Sequence, residues 1–173
     1  FTHEWDPTRA GAEKRLAGFK KTAVRDYNEA RDFPNVDGTS RLSPYLHFGQ
    51  ISPLEIYNAI KETPFAETKS GQRYIAEIGW REFGYHLLHH FNYTPDKALR
   101  KEFDDFPWQS DPKLLRAWQK GKTGFPIVDA GMRQLWLTGW QHNRVIVPGG
   151  TETLLPGAFQ AIILRSAHSA GRA

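Results

Sequence analysis

Apolar residues recur along most of this chain at the spacing of an amphipathic helix. Residues 8–31 show the pattern first, where lysines and arginines separate the members of one apolar stripe. These members are Leu16, Phe19, Ala23 and Tyr27, at positions i, i+3, i+7 and i+11. The pattern predicts a helix with one buried side and one solvated side.

Helix start and stop signals predict four more helices. Ser52-Pro53-Leu54-Glu55 has the form of a capping box with proline at the first helical position, so a helix from about 53 to 61 should follow. The third predicted helix covers residues 71–91 and places Trp80, Phe83, Gly84, Leu87 and Phe91 on one face. The fourth opens at Asp111-Pro112 and closes at Gly121, and the fifth covers Asp129 to Leu137, with a stop near Gly139. No segment alternates with period two over the length of a strand, so we expect an all-α fold.

Composition narrows the class of protein. The 173 residues include no cysteine, which excludes a disulfide scaffold, a thiolate metal site and a cysteine nucleophile. Hydrophobic residues make up 39% and charged residues 24%, and no run of eighteen apolar residues occurs, so intrinsic disorder and a transmembrane helix are both excluded. The net charge of +4 is a mild basic excess that suits an anionic partner.

Three histidines on the third predicted helix raise the question of a metal site. His86 and His90 are four residues apart and His89 lies between them. Leu87 and Leu88 follow His86, so the glutamate of a zinc-protease motif is absent. Histidines on a solvated helix face explain the pattern without a ligand, and we expect no metal.

A hydroxyl-rich loop follows the first helix and has the makings of an anion cradle. It consists of Gly38, Thr39, Ser40, Arg41, Leu42 and Ser43. Glycine lets the backbone approach a ligand closely, the hydroxyls and backbone amides can donate hydrogen bonds, and arginine adds a fixed positive charge. The alternative is an ordinary Ser/Thr turn that leads into a helix cap. The spacing of a Walker A loop is absent.

Two further clusters combine aromatic and charged side chains. Glu77, Trp80 and Arg81 lie within two turns of the third helix, where they can hold a flat heteroaromatic ligand or form a surface ion pair beside a core tryptophan. Trp140-Gln141-His142-Asn143-Arg144 follows the stop at Gly139. Asparagine and arginine there suit amide and phosphate recognition, or else the segment is a helix corner with buried hydrogen bonds.

Taken in order, these segments resemble the FAD-binding domain of the DNA photolyase/cryptochrome family. The resemblance rests on Arg31-Asp32-Phe33-Pro34, Asp37 to Gly49, Trp80-Arg81-Glu82-Phe83, Gly124 to Arg133 and Thr138 to Arg144, and it covers residues 5 to about 145. It implies an all-helical domain that binds FAD in a folded conformation. The class of closest resemblance is the class I photolyases that act on cyclobutane pyrimidine dimers.

The resemblance also implies roles for individual residues. Cofactor-binding positions are Tyr27, Thr39, Ser40, Arg41, Leu42, Ser43 and Tyr74. Positions that face the damaged DNA or its phosphates are Arg31, Glu77, Trp80, Arg81, Asn143 and Arg144, of which Glu77, Trp80 and Asn143 belong to the catalytic site. Trp108 matches the surface member of the electron relay that reduces the flavin. Glu77, three residues before Trp80, favours repair of cyclobutane dimers over the (6-4) class and over cryptochromes.

The implied activity is that of a deoxyribodipyrimidine photolyase, a carbon–carbon lyase in which light-excited reduced FAD passes an electron to a pyrimidine dimer. The implied partner is DNA that contains such dimers, and we expect a cytoplasmic monomer without membrane contact. The antenna chromophore, a folate or a deazaflavin, is expected only in an N-terminal domain outside this chain. The alternatives are a cryptochrome photoreceptor without repair activity and a basic helical nucleic-acid-binding module.

The family pattern stops after Val145. Residues 1–145 are therefore interpreted as an incomplete FAD-binding domain and 146–173 as an atypical tail, whose composition suggests translation in a wrong frame. Gln141 replaces the usual methionine, and the later segments that surround the flavin in this family have no counterpart. We expect the chain to be a fragment that alone binds FAD poorly and repairs nothing.

Overall fold

The computed structural model describes residues 5–104, 107 and 111–145. In this part of the chain there are seven α-helices and a short 3-10 turn at Lys101–Phe103. The helices are α1 (Arg9–Thr22), α2 (Tyr27–Ala30), α3 (Ser43–His47), α4 (Pro53–Lys61), α5 (Lys69–His90), α6 (Pro112–Gln119) and α7 (Pro126–Thr138). No strand occurs among the described residues, and the predicted all-α fold is confirmed. No helix within these ranges is both long enough and apolar enough to cross a membrane.

The chain divides into two compact units, Phe1–Phe83 and Gly84–Ala173. The first unit contains α1 to α4 and most of α5, and its core joins side chains from all five helices and their loops. The core residues are Ala12, Leu16, Phe19, Val24, Tyr27, Leu42, Tyr45, Ile51, Ile56, Ile60 and Tyr74. The predicted tail at 146–173 lies outside the described residues, so that domain boundary stays a prediction.

The first predicted helix is shorter than its apolar stripe indicated. α1 ends at Thr22, where the amides of Ala23 and Val24 both donate to the Phe19 carbonyl oxygen at 3.0 Å. Val24 turns fully into the core, and the chain resumes helical structure at Tyr27. The predicted burial of the stripe is confirmed, but the prediction of one continuous helix is wrong beyond Thr22 because a turn carries the chain into the core.

The capping box predicted at the start of α4 is present. The Ser52 amide donates to the Glu55 carboxylate at 2.8 Å, and the Glu55 amide donates to the Ser52 hydroxyl at 3.2 Å. Arg9 of α1 donates to the same carboxylate at 2.5 Å. Glu55 therefore closes its own helix end and also ties that end to α1.

The helix α5 agrees closely with the predicted segment 71–91, but its burial changes along its length. Its N-terminal part is packed, with Ser70, Gly71 and Tyr74 buried. Farther along, Trp80 is 63% exposed and Phe83 is 48% exposed, and their rings meet edge to face with centroids 5.8 Å apart. Trp80 is thus a surface residue, and the alternative of a core tryptophan is excluded.

The second unit contains α6 and α7. Asp111 caps α6 by accepting hydrogen bonds from the amides of Lys113 and Leu114 at 2.8 and 3.1 Å, as its position before Pro112 predicts. The helix α7 begins at Pro126, three residues before the predicted start at Asp129, because proline is accommodated in the first turn. The two helices are joined by a hydrogen bond of 2.5 Å from the Trp136 indole to the Gln119 carbonyl oxygen.

The left-handed Gly139 ends α7, with φ of 71°, and confirms the predicted stop. On the inner side of the same helix, Gly131 lies against Val145, and a β-carbon at Gly131 would come within 2.2 Å of a Val145 methyl group. The segment that carries His142 to Val145 can therefore approach α7 only because residue 131 has no side chain.

Glu55 gives the first unit a defined acid sensitivity. Hydrogen bonds from Arg9 first, and then from Ser52, lower the pKa of Glu55 to about 2. A lowered folded-state pKa stabilises the fold above the unfolded value of 4.5 and loses that effect as the pH falls toward 2. We expect Glu55→Gln to lower the urea midpoint of unfolding at about pH 7. The difference in urea midpoint between the variant and the wild type should be smaller at about pH 2.5.

The control for this variant is Glu62→Gln, which removes an exposed carboxylate 3.9 Å from Lys20 just beyond α4. Its urea midpoint should stay close to that of the wild type. If the urea midpoints of Glu55→Gln and the wild type differ by the same amount at both pH values, the carboxylate charge is not what stabilises this helix end.

Candidate functional site

A cleft of about 500 Å³ lies in the first unit beside the hydroxyl-rich loop. Its lining residues come from α1 and the residues on either side of it, from the loop and the preceding Asp37, and from α3. They are Trp5, Asp6, Gly11, Lys14, Arg15, Gly18, Phe19, Thr22, Ala23, Asp37, Thr39, Ser40 and Tyr45. Two predicted cofactor residues, Thr39 and Ser40, therefore face a cavity of the size that holds small ligands.

The lining of the cleft also includes two cations that are not among the residues predicted from the sequence. Lys14 and Arg15 lie on α1, and the Arg15 guanidinium also stacks 5.1 Å from the centre of the Trp5 ring. The residues Gly11, Lys14 and Gly18 are spaced by three and four, which is one helical face. That spacing is the signal that groups Lys14 with the cleft-lining face of α1.

The loop itself is shaped by packing on α2. A β-carbon at Gly38 would lie 2.5 Å from the Ala30 side chain, so this glycine serves close contact with the end of α2. This packing accounts for a glycine at position 38 without the close approach to a ligand that the sequence suggested. Arg41 has a φ of 51° and forms an ion pair with Asp37 at 3.0 Å, which closes the loop on itself.

The remaining predicted loop residues differ in where their side chains lie. Leu42 is 1% exposed and belongs to the hydrophobic core. Its side chain cannot line a ligand cavity, and only its backbone remains for that role. Ser43 is exposed and starts the short helix α3, which was predicted as loop.

Tyr27 and Tyr74 form an aromatic cluster under the loop. Their rings are perpendicular with centroids 5.0 Å apart, and Phe19 packs 4.5 Å from Tyr74. Burial raises the pKa of Tyr74, against the opposing effect of a hydrogen bond with the Ser40 hydroxyl. The Ser40–Tyr74 contact ties the loop directly to α5, one helical turn before Glu77.

Glu77 lies between two arginines. The Arg31 Nη1 donates to the Glu77 Oε1, and the Arg73 Nε lies 3.7 Å from the same oxygen. Arg31 is 8% exposed, and its guanidinium lies 5.4 Å from the centre of the Tyr27 ring. Burial opposes the charge on Arg31, but the hydrogen bond to Glu77 leaves its pKa raised overall. Two residues predicted to contact DNA thus contact each other.

Arg81 is held apart from this trio. It donates to the Leu46 carbonyl oxygen at 3.2 Å and pairs with Glu82 at 3.0 Å. Helical spacing allowed a contact between Glu77 and Arg81. In the structure Glu77 instead contacts Arg31 and Arg73. Trp80 stands between Glu77 and Arg81 in the sequence of α5, and its side chain is exposed.

In the second unit, the predicted residues Asn143 and Arg144 lie on one short helical turn beyond α7. Asn143 is exposed, while the Arg144 amide donates to the Nδ1 of the buried His142 at 3.1 Å. Their meeting with Glu77 or Trp80 stays a prediction. Trp108 lies outside the described residues.

The histidine pattern on α5 forms no ligand cluster. The rings of His86 and His90 are 4.3 Å apart, and those of His89 and His90 are 5.1 Å apart. Over the described ranges, no group of three or more histidine, cysteine, aspartate or glutamate side chains is placed to hold a metal ion.

Asp129 organises the loop that precedes α7. Its carboxylate accepts hydrogen bonds from the Thr123 amide and hydroxyl, both at 2.7 Å, and from the Gly124 amide at 3.0 Å. The Thr123 hydroxyl first, and the two amides after it, lower the pKa of Asp129. The motif Gly124 to Arg133 therefore has a structural role, in which Asp129 fixes the entry to the helix.

Comparisons with known proteins agree with this architecture. Residues 74–147 match the family model described as the FAD binding domain of DNA photolyase. The deoxyribodipyrimidine photo-lyase of Agrobacterium fabrum is 46% identical over 146 residues, which are 84% of this chain and 30% of that protein. Cryptochrome-2 of Arabidopsis thaliana is 38% identical over 157 residues, with 85% of this chain and 25% of that protein covered.

The solved structure of a class III photolyase from Agrobacterium tumefaciens matches with a TM-score of 0.84 at 38% identity, over 96% of this chain and 39% of that chain. The comparisons support a place for this chain in the helical FAD-binding domain of the photolyase/cryptochrome family. The relatives include enzymes named photo-lyase as well as cryptochromes. The chain spans 25 to 30% of the length of the two curated relatives described above.

Asp129→Asn should loosen the entry to α7. The amide turns one acceptor into a donor and leaves neighbouring N–H groups without a carboxylate, so we expect the thermal midpoint to fall by roughly 3 to 8 °C. Thr123→Val, which removes only the hydroxyl, should have a smaller effect. Circular dichroism measures both.

Glu102→Gln provides the control, because Glu102 is an exposed acid in the same unit. A midpoint for Asp129→Asn within about 1 °C of this control would mean that the three hydrogen bonds contribute little to the fold.

Proposed function

We propose that this chain forms part of a light-driven DNA repair enzyme that acts on cyclobutane pyrimidine dimers through reduced FAD. The observation that carries the proposal is the link between loop 39–43 and α5. Ser40 of the loop contacts Tyr74, and Glu77 and the exposed Trp80 follow within two turns of the same helix. This link supports the proposal that the cofactor and lesion residues of the first unit belong to one site.

The donor set of the cleft fits the diphosphate of FAD. The lining includes the hydroxyls of Thr39 and Ser40 and the cations Lys14 and Arg15, which supply hydrogen-bond donors and positive charge of the kind that phosphate oxygens require. The backbone amides of the loop would add further donors. Reduced FAD, when bound, supplies the electron that light excitation transfers to the dimer.

The residues of α5 would act on the damaged bases. Glu77 would accept a hydrogen bond from a thymine imide N–H, held in place by Arg31 on its buried side. Trp80 would give the extruded bases an apolar wall, which its 63% exposure permits. Preorganised polar groups of this kind stabilise charge that develops on the bases during electron transfer.

The cryptochrome relatives keep a second function under consideration, that of a blue-light photoreceptor without repair activity. Glu77 is the residue that favours repair. Assignment to class I stays a prediction, and the structural match to a class III photolyase makes that class the main alternative.

The deciding experiment uses the complete gene product, reconstituted with FAD in the dark and illuminated with dimer-containing DNA. Restoration of unmodified thymines, in light but not in darkness, is the expected result. Light-induced spectral change without restored thymines would favour the photoreceptor. Salt-dependent binding to undamaged duplex without any effect of FAD or light would favour a plain nucleic-acid-binding module.

Measurements of FAD affinity test the role of the cations that line the cleft. Lys14→Ala removes a positive charge from the cleft that Thr39 and Ser40 also line, and we expect the dissociation constant for FAD to rise about 3- to 10-fold. Lys21→Ala is the matched control, because Lys21 is an exposed lysine of α1 that does not line the cleft. Fluorescence titration of the complete gene product measures both. Equal effects of the two substitutions would remove the cleft from the proposed FAD site.

A further inference from the structure

We propose that the two arginines on Glu77 have different tasks: buried Arg31 positions the carboxylate, and exposed Arg73 binds a DNA phosphate. The proposal rests on the proposed function, since it concerns the surface that meets damaged DNA. It changes the role of Arg31, which the family resemblance implied to be a DNA contact, and gives Arg73 a role that the resemblance did not imply.

Burial separates the two arginines. Arg31 has 8% of its side chain exposed, donates to Glu77, stacks on the Tyr27 ring and lies 3.7 Å from Asp32. A guanidinium with these contacts cannot reach a duplex without leaving them. Breaking this part-buried ion pair would leave the buried Arg31 charge without its partner, so Arg31 should remain on Glu77 when DNA binds.

Arg73 has the opposite character. Half of its side chain is exposed, and its guanidinium shares with Arg31 a single carboxylate oxygen, at the longer distance of 3.7 Å. An exposed pair of this kind contributes little and is screened by salt. Exchange of this contact for a phosphate therefore costs little, and the planar guanidinium suits phosphate oxygens.

The position of Arg73 on α5 also fits a duplex. Arg73, Glu77 and Trp80 are spaced by four and three, which places them on one helical face. Seven residues of helix separate Arg73 from Trp80 by about 10 Å along the axis. A base that stacks on Trp80 would bring the phosphates of its flanking nucleotides within that range.

Binding measurements on the complete gene product test the division of tasks. We expect Arg73→Gln to weaken binding to damaged and undamaged duplex alike and to reduce the slope of log affinity against log salt by about one. Arg31→Gln should leave that slope unchanged and lower the preference for dimer-containing DNA about ten-fold, because Glu77 loses its anchor. Arg25→Gln, at an exposed arginine paired with Asp26 in the same unit, should change neither quantity.

Arg31→Lys keeps a positive charge at position 31. It therefore serves as a control for unfolding caused by loss of that charge. A positioning role predicts loss of dimer preference, since lysine cannot reproduce the arginine geometry, with the salt slope unchanged. A phosphate-binding role predicts that the preference is retained, because lysine keeps the positive charge that meets the phosphate. An Arg31 substitution that lowers the salt slope as Arg73→Gln does would overturn the proposal.

A stability cycle on the 173-residue chain separates failure of this inference from failure of the proposed function. Urea unfolding of Arg31→Gln, Glu77→Gln and the double variant should show strong non-additivity, whereas Arg73→Gln with Glu77→Gln should be nearly additive. If the wild-type protein shows no preference for dimers, the proposed function fails while the cycle still reports on Arg31. Additive effects of Arg31 and Glu77 would overturn the positioning role by themselves.

Discussion

The packing of Phe19, Tyr27 and Tyr74 is the contact on which the first unit depends. These rings come from α1, α2 and α5, and each pair of centroids lies between 4.5 and 5.8 Å apart. Aromatic pairs in such geometries add about 0.5 to 1.5 kcal/mol each beyond the area they bury. Ser40 lies beside Tyr74 and the Arg31 guanidinium lies over the Tyr27 ring, so the loop and the charged site both adjoin this cluster.

Local signals in the sequence predicted much of the fold. The capping box of α4, the cap at Asp111 and the stop at Gly139 depend on residues within a few positions of each other, and each is present in the structure. The end of α1 had no such signal. Neither glycine nor proline marks Thr22, and apolar residues continue through Val24, so only packing in the core reveals the turn.

The contacts of the candidate site were also beyond the reach of local sequence signals. Thr39 and Ser40 could be singled out because hydroxyls and a nearby glycine are visible in the sequence. Lys14 becomes relevant only when α1 packs beside the loop. The pairing of Arg31 with Glu77 joins residues 46 positions apart, and no spacing rule predicts it. Residue types indicated the chemistry, but the partners required the tertiary structure.

Under the proposed function, Glu77 presents a physical problem, because a carboxylate on a DNA-binding surface repels a polyanion. Its contact with Arg31 answers that problem, because the Arg31 guanidinium neutralises the carboxylate and stays on it when Arg73 turns to a phosphate. The acid can then serve as a hydrogen-bond acceptor next to the exposed Trp80 without imposing a negative field on the approaching backbone. Replacing Arg31 with a neutral residue would restore the repulsion and remove the partner that donates to the Glu77 carboxylate.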